Sequence, residues 1–125
     1  MNAINWFEIP STDFERAVTF YETVMAVSMH REFTNNEPNA MFPYEQGKSV
    51  GGSIVDSPYS QPGTQGPVVY INAQSASLLD QILARVEAAG GKIVMPKTDI
   101  GPVGLIAMIL DTEGNRVGFH CDQGA

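Results

Sequence analysis

Glu8 and His120 carry the side chains of this chain best suited to chemistry. Glu8 stands in Ile4-Asn5-Trp6-Phe7-Glu8-Ile9, an otherwise mostly apolar segment. A carboxylate there must be paired or solvated, because lone burial is costly. In a cleft it would bind a cation or shuttle a proton. His120 stands in Arg116-Val117-Gly118-Phe119-His120-Cys121. Its imidazole, with a reference pKa near ~6.5, suits a general base or a ligand contact. A strand period of two puts Trp6 with Glu8 on one face, and Gly118 with His120 on one face. Cys121 then points away from His120, which argues against a Cys–His nucleophilic pair. One histidine and one glutamate make at most a two-ligand metal site, whereas stable zinc sites normally use three or four protein ligands. Asp56 and Asp122, at strand ends, join that set only if their loops fold inward. His30 reads as a surface residue. Cys121 is the single cysteine, so an internal disulfide framework and a multi-cysteine cage are excluded.

Strands must hold these side chains in place. Residues 4–9 read as a strand that Pro10 ends. Thr12 reads as a helix N-cap, with Glu15 completing a capping box. Phe14, Ala17, Val18, Tyr21, Val24 and Met25 then recur at helical spacing and predict a helix ending near Met25 or Ala26. Residues 27–33, 40–44 and 49–55 read as strands, 35–39 as a loop, and Glu45-Gln46-Gly47 as a turn. Residues 57–66 contain Pro58, Pro62, Gly63 and Gly66 and read as a linker. The order then repeats. Residues 68–73 read as a strand. Ser77 reads as the cap of a second helix, with Leu79, Ile82, Leu83 and Val86 buried and Gly90-Gly91 as its stop. Residues 93–95 start a strand, and Pro96 to Gly104 form a turn-rich rim or flap. Residues 103–110 read as a strand buried on both faces, 111–115 as a tight turn and 116–121 as the last strand. The offset between halves is about 64 residues, Asp13 mapping onto Ser77. A half of ~60 residues is marginal alone, so the halves must share a core. The expected fold is α+β, with two tandem β-α-β-β-β modules at about 1–56 and 67–125 within one domain, 1–125.

At 125 residues the chain is one domain's length. It carries 14 acidic against 7 basic residues, a net charge of −7. The bases are scattered singly, so neither nucleic acid nor an anionic membrane is an expected partner. The longest apolar run, 105–110, is short against the ~18 residues of a membrane span. No basic-then-apolar leader is visible. With one cysteine, these features favour a cytoplasmic protein. The charge serves solubility first and also suits a cationic ligand. No G-x-G-x-x-G or phosphate loop supports a nucleotide site.

The doubled module resembles the vicinal oxygen chelate superfamily, which includes glyoxalase I, bleomycin-resistance proteins and extradiol dioxygenases. The matching segments are Trp6-Phe7-Glu8-Ile9-Pro10, Thr12-Asp13, Phe20-Tyr21, Val69-Tyr70-Ile71-Asn72, residues 86–92, residues 96–101 and residues 111–118. They span the chain almost end to end and are most similar to the single-domain subgroup related to lactoylglutathione lyase. The resemblance implies curved mixed sheets around an open barrel-like cleft, with the helices outside. It implies a divalent metal held by histidines and carboxylates from the first and last strand of each module. That metal would act as Lewis acid on a substrate with two adjacent oxygens. A homodimer is also implied, often with modules of two chains around each cleft, and two-fold pairing is the commonest oligomer.

Carried over position by position, the metal ligands are absent. The first position falls on Trp6, whose indole only donates hydrogen bonds. Strand 49–55 offers no carboxylate or imidazole in any register. The third position falls on Val68, or on Tyr70 if the register slips by two, and the fourth on Gly118. No metal or other cofactor is therefore expected, a divalent metal on Glu8 and His120 being the alternative. The replacements make the cleft more apolar. Trp6, Tyr70 and Met108 would form its wall, and Met41 and Phe42 would add soft apolar surface. Glu8, Asn72 and His120 would be its polar groups, the usual anatomy of a ligand pocket. The leading reading is a glyoxalase/bleomycin-resistance-like protein that binds a small organic molecule, a cation by the charge argument. The alternatives are a lyase, isomerase or dioxygenase with an atypical site on Glu8 and His120, and an interaction or regulatory module with a vestigial cleft. Metal-dependent turnover would mark the enzyme, and a cleft closed by a packed Trp6 the module. Fold alone does not choose among them.

Overall fold

The structure, a computed structural model, describes residues 2–34 and 37–124. In chain order the elements are β1 (Trp6–Pro10), α1 (Phe14–Met25), β2 (His30–Thr34), β3 (Glu37–Met41), β4 (Gly51–Val55), β5 (Val69–Asn72), α2 (Ala76–Val86), β6 (Lys92–Asp99), β7 (Leu105–Leu110) and β8 (Arg116–Cys121). A short 3-10 turn occupies Gly101–Val103. The strands form two four-stranded sheets, β1-β4-β3-β2 and β5-β8-β7-β6. The β1–β4 and β5–β8 pairs are parallel and the rest antiparallel. The same strand order thus occurs twice, in the α+β class. The two sheets are separate and do not close into one barrel.

Capping sets where the helices begin. Asp13, not Thr12, caps α1: its backbone is extended and its Oδ1 accepts from the Arg16 N–H at 3.1 Å. Thr12 is engaged elsewhere, donating its N–H and hydroxyl to Glu113. Ser75, not Ser77, caps α2 by accepting from the Leu78 N–H at 3.1 Å. The apolar stripes bury Ala17, Val18, Phe20, Tyr21 and Val24 on α1, and Leu79, Ile82 and Val86 on α2. Each helix packs on its own sheet and the two pack on each other, so one core spans both modules.

The strands depart from expectation in several places, β2 beginning at His30 rather than at 27 and β4 at Gly51 rather than at 49. β3 covers 37–41 rather than 40–44, so Pro38 and Asn39 are strand rather than loop; Asn35 and Asn36 lie outside the described residues. β6 runs on through Pro96 to Asp99. It is an edge strand whose register with β7 shifts on both sides of Met95. An irregular edge is where a residue without an N–H is tolerated. β7 is not buried on both faces: Ala107 and Ile109 are buried, while Ile106 and Met108 are partly open. The helices cover only one side of the sheet.

Residues 111–115, expected only as a tight turn, also join the modules. The Tyr21 hydroxyl donates to Asp111 Oδ2 at 2.7 Å. Asn115 Nδ2 donates to the Pro10 carbonyl at 2.7 Å and to Asp111 Oδ2 at 3.0 Å. The Glu113 carboxylate accepts from the N–H groups of Thr12 and Asp13 at 2.9 and 2.8 Å and from Arg16 Nε at 2.7 Å. An anion is thereby seated at the N-terminus of α1, the positive end of its dipole.

Candidate functional site

The alternation of strand side chains sorts the candidates. On β1, Ile9 is buried in the core and Phe7 packs against it, while Trp6 and Glu8 stay exposed. On β5, Ile71 joins the core, while Tyr70 and Asn72 stay exposed. Pairing register extends these positions into rows. Glu8 lies beside Ser53, which lies beside Met41. Tyr70 lies beside Gly118 and then Met108; Asn72 lies beside His120 and then Ile106. Cys121 is buried, facing opposite His120.

Glu8 lines a hollow with Val69 and Val117 of module two, and two further hollows lie over the candidate residues. One, of about 270 Å³, is lined by Trp6, Glu8, Glu37, Met41 and Ser53, among others. The other, of about 460 Å³, is lined by Tyr70, Asn72, Gln74, His120 and Asp122. They share no lining residue. Within one chain, Trp6 meets Glu8 and Met41, and Tyr70 and Asn72 meet His120. Glu8 and His120 are not brought together. Asp122 does reach the His120 hollow, whereas Asp56 lines neither. Phe42 is not a cleft residue. It is buried, with its ring 5.6 Å from those of Phe7 and Tyr21. His30 is exposed, 3.0 Å from Glu32.

His120 Nε2 lies 2.6 Å from the Val103 carbonyl oxygen. A carbonyl only accepts, so Nε2 carries the hydrogen and donates. In the neutral ring Nδ1 then keeps its lone pair. The 3-10 turn supplying that carbonyl is braced as a rim: the Ile100 N–H donates to the Gly104 carbonyl at 2.9 Å, and Gln123 Nε2 donates to Asp99 Oδ1 at 2.6 Å.

Pairing register sets residues of the expected metal positions against glycines of the neighbouring strands. Trp6 pairs with Gly51, and Tyr70, rather than Val68, pairs with Gly118. In both modules an aromatic ring lies on the glycine. A Cβ built on Gly51 would come within 2.7 Å of the Trp6 ring and 2.8 Å of the Tyr44 ring. A Cβ on Gly118 would collide with Tyr70. Trp6 and Tyr44 meet edge to face with centroids 5.5 Å apart. An indole, a phenol and two glycines do not fit the histidine and carboxylate set that the resemblance implies. Among the described residues, no three His, Cys, Asp or Glu side chains converge to hold a metal ion. Gly51, Tyr44 and Glu37 are contributors that sequence reading misses. The glycines inside strands were the available signal, since they mark close approach of a neighbour.

The sequence profile of the glyoxalase/bleomycin resistance protein/dioxygenase superfamily matches residues 3–119. CFP32 of Mycobacterium bovis, provisionally called a glyoxylase, is 26% identical over 117 residues, covering 92% of this chain and 44% of its own length. The chain thus spans less than half of that curated relative. A glyoxalase/bleomycin resistance protein of Albidiferax ferrireducens superposes with a TM-score of 0.73 at 17% identity, over 96% of this chain and 98% of that one. A fosfomycin resistance protein of Listeria monocytogenes, FosX, superposes with a TM-score of 0.71 at 10% identity, over 99% and 94%. At these identities the likeness is one of fold.

Proposed function

The chain belongs to the glyoxalase/bleomycin resistance protein/dioxygenase superfamily, and from that premise we propose that it binds a small organic molecule in a cleft that works without the family's metal. One observation carries the reading: in both modules the paired first- and last-strand positions hold an aromatic ring over a glycine, Trp6 on Gly51 and Tyr70 on Gly118. Such a surface offers π-faces and apolar area in place of lone pairs. The neighbouring groups, Glu8 in one module and Asn72 and His120 in the other, supply the few polar contacts that orient a ligand. The Trp6 hollow and the His120 hollow share no lining residue in one chain. That supports a homodimer in which module one of one copy faces module two of the other. Two neighbours of the same fold are named for resistance to small molecules. Trp6 is 37% exposed and lines a hollow, which counts against the vestigial cleft of an interaction module.

A second reading, catalysis at an atypical site, draws on His120. Its Nε2–H is tied to Val103, which leaves Nδ1 as an acceptor, and the residue shares its hollow with Tyr70, Asn72 and Asp122.

The test is a calorimetric titration of tag-free, chelator-treated protein with zinc, nickel, manganese and iron(II). A fragment screen by ligand-observed NMR follows. The expected result is no saturable metal binding at micromolar concentration, and fragment hits lost in Trp6→Leu or Tyr70→Leu. Stoichiometric metal binding that disappears in Glu8→Ala or His120→Ala would make the chain a metalloprotein and overturn the reading. A monomeric mass by sedimentation at micromolar protein would remove the shared cleft.

A further inference from the structure

Module one surrounds one small space with an indole and two carboxylates. Trp6, Glu8, Glu37, Met41 and Ser53 line it. The indole is held in place. Gly51 lies close beneath it, and Tyr44 meets it edge to face at 76°. A side chain already fixed loses little rotamer freedom on binding a ligand. A ring over a strand glycine has a structural use, filling a gap in the sheet, and that accounts for the ring alone. It does not account for the carboxylates beside it. Glu8 is two residues along the same strand face, and Glu37 lines the same hollow from β3. Among the described residues, neither forms an ion pair.

An indole face attracts cations through its quadrupole, carboxylates attract them directly, and a thioether packs softly on aromatic rings. Among the described residues of one chain, Trp6 is the one aromatic side chain lining the hollow. A round tetraalkylammonium is best held by aromatic walls on several sides, whereas one face suits a flat partner. We propose that this hollow takes a flat, N-alkylated heteroaromatic cation, its ring against Trp6 and its charge toward Glu8 and Glu37. The inference rests on the small-molecule reading of the cleft and narrows it to a charge and a shape.

The probe pair is 1-methylquinolinium and quinoline at pH 7.5, nearly the same shape with and without the charge. Binding is read by calorimetry. The indole N–H resonance marks the site, because Trp6 is the only tryptophan. The cation is expected to bind saturably and shift that resonance, with quinoline about tenfold weaker or worse. Glu8→Gln and Glu37→Gln should each weaken the cation about three- to tenfold and leave quinoline unchanged. Trp6→Leu should abolish binding of both while keeping the wild-type far-UV circular dichroism. Equal affinity for the two probes, or cation binding indifferent to the glutamine variants, would overturn the inference while leaving a small-molecule cleft standing. No saturable cation binding would also overturn it, and with an empty fragment screen both readings fall together.

Discussion

Covering a carboxylate by protein normally favours its neutral form. The Glu113 side chain is fully covered, and burial pushes its pKa up, yet the pKa is lowered to about 2. Hydrogen bonds from Arg16, from the N–H groups of Asp13 and Thr12, and from the Thr112 hydroxyl outweigh the burial. A depressed carboxylate stabilises the fold fully above its unfolded value, here 4.5, and that contribution is lost as pH falls through about 2. Glu113→Gln is expected to cost about 1–3 kcal/mol at pH 7, read from urea midpoints, as for a charged hydrogen-bond acceptor. The gap between wild type and variant should hold above pH 4.5 and close toward pH 2. A constant gap across that range would mean that geometry, not charge, sets the cost. None of this was legible in the sequence, because Thr12, Asp13 and Arg16 lie about a hundred positions from Glu113 and no local pattern encodes such a pairing. The types of Trp6, Tyr70 and Gly118 were legible. Gly51 was not, since only pairing register singles it out within strand 49–55.

Periodicity located both helices, because an apolar stripe at helical spacing has no other economical use. The caps were harder. Thr12-Asp13 and Ser75-Ala76-Ser77 each offer two cap-forming residues, and tertiary contacts choose between them, as Glu113 does by engaging Thr12. The end of α1 carries a residue under strain. Ala26 caps it in the left-handed conformation, at φ 55° and ψ 49°. That conformation costs a residue with a Cβ about 1–2 kcal/mol, which glycine avoids. Ala26→Gly is therefore expected to raise stability by about 0.5–1 kcal/mol after the added entropy of the unfolded chain is subtracted. Thermal unfolding would show the gain, and a lower midpoint would mean that the unfolded-chain term dominates. Strand ends were the least legible. Pro96 reads as a breaker, but the irregular edge position of β6 accommodates it.

At the scale of the whole molecule, the repeat of element order was legible because each half reproduces the same sequence of strand and helix signals. How the halves meet was not. They meet through the α1–α2 contact and through Asp111, Glu113 and Asn115, which grip Tyr21 within α1, the start of α1 and the end of β1 respectively. The linker contributes little to that grip. Gly63 and Gly66 are tied to Asn115 and Arg116 of module two, while Tyr59 is 92% exposed. Chymotrypsin should therefore cut after Tyr59 in the native protein. The two pieces are expected to stay together at native mass on a sizing column and to part only in denaturant. Covalent continuity across that stretch would then be dispensable once folding is complete, and the chain would behave as a split protein whose halves recognise each other.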